Sequence, residues 1–375
     1  MRYSPHPALV IGAGIGGLAA AIALRHRGIE ALVVERAEEL REVGAGLLLS
    51  PNACAVLERL GVLLDLCGHS ASVPRWDVLN QKGELLSSLQ VAQGDEQSLN
   101  TRRCDLQMAL RRLLPADAVR LGCAAVKAEN RSGVVEVTLA DGSVIRASRV
   151  IVADGTHSAI RSQLWPKRRV TYRGYIGWRA LVDHVPSGWE SGHVSESWGR
   201  GRRFGIGHVG GGRTYWYASA NVMESKAQSS VSLDQLRHDF REWHDPIAEL
   251  LSHTRPEALL QHPIADSRPH WHWQQDNRIA LLGDSAHPLT PNLGQGAAMA
   301  LEDAWELAQQ WNHPDAFARY ERRRRARLLA VWAASRWVGT MIQWQNPLLC
   351  AARDAHLRLL PNAFACGMIR LLLMR

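Results

Sequence analysis

Glycines near the start of the chain have the spacing needed to hold a phosphate group. Residues 12–17 read GAGIGG, a G-x-G-x-x-G pattern between an apolar run at 8–11 that predicts a strand and a helix-forming run at 18–27. In this context Gly12 permits a tight turn, Gly14 lets the backbone approach a pyrophosphate, and Gly17 lets the helix pack closely on the strand. The free N–H groups at the helix N-terminus favour the negative charge.

A carboxylate follows at the distance expected for a ribose ligand. Residues 31–34 form a second apolar run, and Glu35 closes it, 18 residues after Gly17. An acidic side chain near this spacing binds the ribose 2′-hydroxyl of a dinucleotide. Because the same carboxylate would repel a 2′-phosphate, the segment predicts a site for NAD or FAD.

Two later apolar runs end in acidic residues that would face the same crevice. Residues 149–153 precede Asp154-Gly155, and residues 278–282 precede Gly283-Asp284. A carboxylate at the carboxyl end of a parallel strand points into the ligand crevice. The stretch 291–297 then offers glycine N–H groups at the start of a helix predicted for 298–310, a site for an electron-rich oxygen.

The composition predicts a folded protein of two or three structural units. The chain has 375 residues, of which 46% are hydrophobic and 21% charged, so disordered, collagen-like and coiled-coil classes are excluded. Six cysteines occur without a C-x-x-C pair, which favours a reducing compartment and therefore a cytoplasmic location.

The positive charge is concentrated at the end of the chain. Eleven arginines against two acidic residues give residues 316–375 a net charge of +9, which exceeds the +8 of the whole chain. Because no basic surface or nucleic-acid-binding module is recognisable, we expect no nucleic-acid partner. The segment predicts a helical cap that is basic outside, and the sharper hypothesis is peripheral attachment to an acidic membrane, at the inner membrane surface.

The middle of the chain predicts an antiparallel sheet that forms a pocket. Residues 204–208 and 214–218 read as neighbouring antiparallel strands joined through three glycines at 210–212. The candidate pocket residues are Trp178, Arg179, His208, Trp216 and Tyr217, of which alternation lets only some face inward.

Two other kinds of chemistry are not indicated. His270 and His272 share one face of an extended segment, but no third ligand stands at a telling spacing, so we predict no metal site. No G-x-S-x-G turn is present, and serine hydrolase chemistry therefore lacks its nucleophile.

Taken in this order, the motifs are specific, and the sequence resembles the single-component flavoprotein aromatic hydroxylases, the p-hydroxybenzoate hydroxylase-like FAD-dependent monooxygenases. The resemblance covers nearly the whole chain. Its signals are the glycine pattern with Glu35-Arg36, the turn at 43–47, Arg103 before Leu106, Asp154-Gly155, and the block from Gly283-Asp284 to Gly296.

The resemblance implies an α/β fold. A Rossmann-like FAD-binding domain of the GR2 type would carry an inserted antiparallel-sheet substrate domain and a C-terminal helical segment. The implied boundaries are 1–72, 97–170 and 269–315 for the FAD-binding domain, 73–96 and 171–268 for the substrate domain, and 316–375 for the helical segment.

The resemblance also implies ligands for the adenosine and phosphate part of FAD. The three glycines of the pattern would hold the pyrophosphate, and Glu35 the adenosine ribose. Arg36 would lie near the adenine, which the backbone around Val126 would bind. Arg103 would reach the phosphate and ribityl region, and Asp284 the ribityl chain and pyrophosphate region.

At the flavin end, Gly46 and Leu47 would pack by the ring. Asp154 belongs to a motif that serves both FAD and the nicotinamide donor in the family, and this chain has no second glycine pattern for that donor. The implied backbone contacts to the flavin pyrimidine oxygens come from Gly294, Gly296 and Ala297.

The activity implied is insertion of one oxygen atom into an aromatic or other electron-rich, including lipophilic, small molecule. FAD would be reduced by NADH or NADPH and react with O2 to a C4a-hydroperoxyflavin, while the protein excludes water. Arg179 and His208 are the catalytic candidates, with His208 handling the proton of a phenolic substrate. The protein would be a monomer or homodimer.

Three alternatives stay open at this point. The same fold carries flavin-dependent halogenases and reductases of lipid double bonds, and the W-x-W-x-I-P stretch of the halogenases is missing from the sequence. A flavin- or ligand-binding regulator that turns nothing over belongs to another class.

Overall fold

A computed structural model describes residues 6–40, 46–92, 94–190, 192–361, 366, 367 and 370. Residues 43–45 of the turn predicted at 43–47 lie outside the described residues.

The described chain forms eighteen strands and ten α-helices. The strands are β1 (His6–Ile11), β2 (Ala31–Val34), β3 (Gly46–Leu49), β4 (Ala71–Ser72), β5 (Arg75–Asn80), β6 (Leu85–Gln90), β7 (Leu99–Arg102), β8 (Val119–Arg120), β9 (Ala125–Arg131), β10 (Val134–Leu139), β11 (Val144–Val152), β12 (Thr171–Val182), β13 (His193–Trp198), β14 (Arg202–His208), β15 (Thr214–Asn221), β16 (Leu260–Asp266), β17 (Gln274–Gln275) and β18 (Ile279–Leu281). The helices are α1 (Ile15–Arg25), α2 (Pro51–Arg59), α3 (Leu63–Cys67), α4 (Arg103–Arg112), α5 (Ala159–Leu164), α6 (Leu233–Asp239), α7 (Ile247–His253), α8 (Gly296–Gln310), α9 (Ala316–Ile342) and α10 (Pro347–Leu359).

The first sheet has a parallel centre in the order β18-β11-β1-β2-β8. The four apolar runs predicted as strands at 8–11, 31–34, 149–153 and 278–282 all lie in this centre. Three strands match their predicted bounds within two residues, whereas β11 begins at Val144, five residues before the predicted start. Because its strands are parallel, their carboxyl ends meet at one edge, where ligands bind in this kind of sheet.

The second sheet has seven strands in the order β16-β12-β15-β14-β13-β5-β6. The predicted antiparallel pairing of β14 with β15 is confirmed. Trp178, Phe204 and Trp216 form an apolar core on one face with α6 and α7. The opposite face is turned toward the carboxyl edge of the first sheet. Strands β5 and β6 come from the segment 73–96, and the domain boundaries stay a prediction.

A three-stranded sheet, β3-β7-β4, and the carboxy-terminal helices complete the fold. Helix α9 packs on α8 and extends to Ile342. The predicted α/β class with a helical carboxy-terminal segment is confirmed. Among the described residues, no helix is both long and apolar enough to cross a membrane.

Candidate active site

In the glycine turn between β1 and α1, two glycines are closely packed and the third lies beside open space. Gly12 has φ +105°, and a Cβ there would lie 2.4 Å from the carbonyl oxygen of Ala153. A Cβ on Gly17 would lie 1.9 Å from the carbonyl oxygen of Gly12. A Cβ on Gly14 would meet no atom within 4 Å. Two glycines therefore allow the turn to form, and Gly14 leaves space beside the start of α1.

Glu35 connects the end of β2 to this turn. Its Oε2 accepts a hydrogen bond from the backbone N–H of Ala13 at 2.7 Å, and its Oε1 accepts one from that of Ala37 at 3.0 Å. The carboxylate is half-buried at the side of the glycine turn. The side chain of Val126, in β9, is 47% exposed.

The ends of β11 and β18 meet as the sequence indicates. The hydroxyl of Ser285 donates to Asp154 Oδ1 at 2.9 Å and accepts from the N–H of Gly155 at 2.8 Å. The buried guanidinium of Arg161 donates to the carbonyl oxygens of Asp284 at 3.3 Å and Ser285 at 3.1 Å. Burial lowers the pKa of Arg161, and the nearby carboxylates of Asp154 and Asp284 oppose that effect.

A loop before α8 presents glycines to the same space. Gly294 has φ +63°, and a Cβ on Gly294 or Gly296 would meet no atom within 4 Å. Contacts to β12 and α9 fix the loop, because the Asn292 amide donates to Tyr175 Oη at 3.0 Å and to the carbonyl oxygen of Ser335 at 3.0 Å.

A buried network of charged side chains stabilises the carboxyl edge of the first sheet. His287 Nε2 lies 2.5 Å from Asp303 Oδ2, which also accepts from the N–H of Gly283 at 3.1 Å. Arg324 Nε donates to Asp303 Oδ1 at 2.6 Å. Burial raises the pKa of Asp303, but His287 and Arg324 outweigh it and hold that pKa well below its usual range. Sequence reasoning missed this network, since its members lie on separate elements.

These elements enclose a cavity of about 1630 Å³ between the first and second sheets. Its volume exceeds the roughly 300–1,000 Å³ of an ordinary ligand pocket and suits an extended dinucleotide together with a small molecule. Gly17, packed on Gly12, and Val126 are not in its described lining, which includes the residues 123–125 that precede Val126. The predicted cofactor residues in the lining are Gly12, Gly14, Glu35, Arg36, Gly46, Leu47, Arg103, Asp154, Asp284, Gly294, Gly296 and Ala297.

The second sheet contributes Arg179, Tyr215 and Tyr217 to the cavity. Arg179 and Tyr217 face each other across β12 and β15 in direct register. A Cβ on Gly46 would lie 2.2 Å from Tyr215 Cγ, so the glycine of β3 makes room for that ring. Sequence reasoning named Arg179 and Tyr217 but missed Tyr215.

His208 is not brought to the cavity. Strand side chains alternate between faces, so His208 shares its face with Phe204 and Ile206, which belong to the apolar core under α6 and α7. His208 is absent from the described lining, and neither ring nitrogen has a hydrogen-bond partner among the described residues. Burial lowers its pKa. Trp216 likewise lies in that core, so neither residue is retained as a pocket residue.

The residues at the carboxyl edge fit FAD. Gly14, Gly294 and Gly296 leave open the positions where a Cβ would project toward a ligand. Helices α1 and α8 both begin at this cavity, and their N-termini favour the charge of a pyrophosphate and of an electron-rich ring. A sheet with a parallel centre and these two loops, covered by a separate, mostly antiparallel sheet, defines a flavoprotein of the hydroxylase type.

The family is shown by comparison with known proteins. The family model described as FAD binding domain matches residues 6–335, and the chain belongs to this family. It is 35% identical to the aurachin C monooxygenase/isomerase of Stigmatella aurantiaca over 362 residues, 94% of each chain. It is 33% identical to the 2-heptyl-3-hydroxy-4(1H)-quinolone synthase of Pseudomonas aeruginosa, over 95% of this chain and 94% of that protein.

A solved structure of a flavoprotein has a similar fold. Klebsiella pneumoniae HpxO complexed with FAD and uric acid matches with a TM-score of 0.89 at 27% identity, over 98% of this chain and 97% of that one. The chain is an FAD-dependent monooxygenase that uses NAD(P)H and O2 to hydroxylate a small molecule. The predicted family, cofactors and activity are confirmed, and the relatives do not support the halogenase, reductase or regulator alternatives.

Proposed function

We propose that the enzyme hydroxylates a ring carbon of a 2-alkyl-4-quinolone or a closely similar nitrogen heterocycle. The supporting observation is the end-to-end similarity to a synthase whose name describes a 2-heptyl-3-hydroxy-4(1H)-quinolone. Removal of the ring hydroxyl from such a product gives the proposed substrate class.

The lining of the cavity supports a substrate with one polar and one apolar part. Tyr215, Val194 and Trp76 lie in one row of the second sheet, linked by direct pairing through Gly207, and all line the cavity. This row is mostly apolar and suits an alkyl chain. The neighbouring row carries Arg179 and Tyr217, which suit a ring carbonyl and N–H.

We further propose how the chain holds its cofactor. Bound FAD supplies the oxygen activation that side chains cannot. The glycine turn at Gly14 and the N-terminus of α1 would bind the pyrophosphate, Glu35 the ribose, and Asp284 with Arg103 the ribityl region. The remaining assignments that we propose are Gly12, Arg36, Gly46, Leu47, Asp154, Gly294, Gly296 and Ala297, which line the cavity. Gly17 and Val126 are not in the described lining, so they are not retained as direct FAD contacts.

The test is substrate-stimulated turnover of the purified holoenzyme. We expect 2-heptyl-4-quinolone to accelerate NADH or NADPH oxidation and to yield a product one oxygen atom heavier by mass spectrometry. Uric acid and 6-hydroxynicotinate are comparison substrates, since relatives are named for them. The proposal fails if the quinolone gives no oxygenated product while one of the comparison substrates does.

We also propose that α9 and α10 contact a lipid surface through apolar side chains. Trp337 is 57% exposed, Leu348 80% and Leu359 81%. The basic turn at 322–325 carries less free charge than its sequence suggests, because each of its arginines meets a carboxylate. The ion pairs are Arg322–Asp315, Arg323–Glu306, Arg324–Asp303 and Arg325–Glu321.

Vesicle sedimentation tests this contact. We expect similar binding to neutral and anionic vesicles, reduced when Leu348 and Leu359 are changed to Ser. Sedimentation of the double variant at the level of the unchanged protein would contradict the proposal.

A further inference from the structure

A buried carboxylate lies behind the cavity wall. Glu196, in the middle of β13, is 3% exposed. The register places Arg179, Tyr217, Gly205 and Glu196 side by side across β12, β15, β14 and β13. All four therefore project from the face of the sheet that is turned toward the cavity.

Gly205 brings the tyrosine and the carboxylate together. A Cβ on Gly205 would lie 2.1 Å from Tyr217 Cζ, so the ring crosses β14 directly over this glycine. The Tyr217 hydroxyl donates a hydrogen bond to Glu196 Oε2. Tyr217 lines the cavity, whereas Glu196 does not belong to the described lining. Tyr217 thus connects the cavity to a carboxylate that lies behind it.

The remaining contacts fix the direction of this hydrogen bond. Trp198 Nε1 donates to Glu196 Oε1 at 2.6 Å, and Arg203 donates to Glu196 Oε2 at 3.5 Å. Glu196 therefore acts as an acceptor from every described partner. A tyrosine hydroxyl has one proton and two lone pairs. Since its proton is given to Glu196, the Tyr217 oxygen is left to accept a hydrogen bond from the cavity side.

We propose that Tyr217 and Glu196 form a proton relay for a substrate whose ring carries a weakly acidic N–H or O–H. Tyr217 is the catalytic residue, because it touches the substrate, and Glu196 is a positioning residue that acts through it. The inference rests on the proposed hydroxylation of a ring substrate, but it does not require the quinolone.

The relay moves two protons and no electrons. The substrate N–H or O–H bond breaks and its proton passes to Tyr217 Oη, while the original Tyr217 proton passes to Glu196 Oε2. The products are a substrate anion and a neutral carboxylic acid. One negative charge moves from Glu196 to the ring, which becomes a better nucleophile for electrophilic oxygen.

The groups around the relay keep this charge compensated at either position. Arg203 lies beside Glu196, and its guanidinium is 5.5 Å from the centre of the Tyr217 ring, so the same cation stays near the negative charge at either position. Arg179 pairs in register with Tyr217, and its side chain hydrogen-bonds Tyr215. Burial opposes ionisation of Tyr217 and, with the adjacent Glu196, raises its pKa well above the usual range, so the hydroxyl stays protonated and transfers its proton instead of losing it to solvent. The other titratable or charged groups near the network are Tyr175, Tyr215 and Arg353, whose guanidinium lies 5.4 Å from the centre of the Trp198 ring.

The test uses 4-nitrophenol, whose neutral and anionic forms absorb differently, with the oxidised holoenzyme at a pH where the free ligand is mostly neutral. The wild type is expected to bind it as nitrophenolate without net proton release, because Glu196 keeps the proton. Tyr217→Phe is expected to bind the neutral phenol. Glu196→Gln is expected to form nitrophenolate only with proton release, so its affinity falls about tenfold per pH unit below the ligand pKa.

Glu249→Gln is the matched control. Glu249 lies in α7 behind the opposite face of the sheet, where it contacts His184 at 2.6 Å, and this variant is expected to behave as the wild type. Because Glu196→Gln leaves Arg203 without its carboxylate, FAD content is measured for every variant, and Tyr217→Phe serves as the variant with the least change of shape. A wild type that binds neutral nitrophenol, or the same spectrum and proton balance in all proteins, overturns the relay.

Turnover of 2-heptyl-4-quinolone separates the two proposals. We expect Tyr217→Phe and Glu196→Gln to lower hydroxylation by about 10²- to 10⁴-fold, the range of general acid–base catalysis, while FAD content is retained. If the wild type ignores the quinolone but shows the nitrophenolate pattern, the substrate proposal fails and the relay stands. If both variants hydroxylate the quinolone at the wild-type rate, the relay is overturned and the substrate proposal stands.

Discussion

Replacement of Gly14 by alanine should separate cofactor binding from folding. The backbone there is extended, with φ −70°, and the new methyl group would meet no protein atom within 4 Å. The free energy of unfolding of the apoprotein should therefore change by less than about 1 kcal/mol. The methyl group projects toward the proposed pyrophosphate position, and overpacking of about 1–3 kcal/mol there would weaken FAD binding about 5- to 150-fold.

Gly17→Ala is the matched comparison, made in the same turn. Its methyl group would lie 1.9 Å from the Gly12 carbonyl oxygen, so the helix must move away from the strand, at a cost of about 3 kcal/mol or more. Flavin fluorescence quenching on titration of the apoprotein gives the affinity, and urea unfolding gives the stability. Wild-type FAD affinity in Gly14→Ala, or equal destabilisation of the two variants, would refute the assignment of open space at Gly14 to the cofactor.

Two further changes probe the edge and the wall of the cavity. Asp303→Asn should lower the free energy of unfolding at pH 7 by about 3–5 kcal/mol, because His287 and Arg324 lose a buried partner. Because folding lowers the pKa of Asp303, its ionised form stabilises the protein at neutral pH, and this stabilisation fades below about pH 4. Urea unfolding should therefore show that the difference in unfolding free energy between wild type and variant becomes smaller in acid. A difference that stays constant with pH would contradict this. Gly205→Ala should displace the Tyr217 ring and slow hydroxylation on the order of 10²-fold with FAD affinity unchanged, as measured by coupled turnover and flavin titration. Unchanged coupled turnover in that variant would show that the ring position does not matter.

The parallel centre of the fold could be predicted because each part of it has a local signal. Apolar runs such as 31–34 predict buried strands, and the glycine pattern marks the turn that follows the first strand. Asp154 comes immediately after one such run and Asp284 one residue after another, and parallel pairing brings the ends together through Ser285. The sequence also indicated that the carboxy-terminal segment is helical.

The wall of the cavity could not be predicted in the same way. Alternation says that His208 and Tyr217 lie on definite faces, but it does not say which face looks at the cofactor. That choice depends on pairing across strands far apart in sequence, such as β13 with β5. Glu196 stood out even less, because in Ser195-Glu196-Ser197 it reads as part of a solvated strand, and only the structure shows all three residues buried.

One sequence feature could have indicated which residues of the second sheet line the cavity. Gly46 and Gly205 both stand in strands, where glycine gives up packing, and each makes room for the ring of a cavity tyrosine, Tyr215 and Tyr217 respectively. A glycine in a strand often marks a close approach of another group, so each of these glycines indicates a place where a ring can lie against the strand. Of the two rings, the one that reaches Glu196 gains an acceptor for its proton, which a phenol over an apolar strand would lack. The strand glycine at 205 therefore both shapes the pocket and makes its proposed proton chemistry possible.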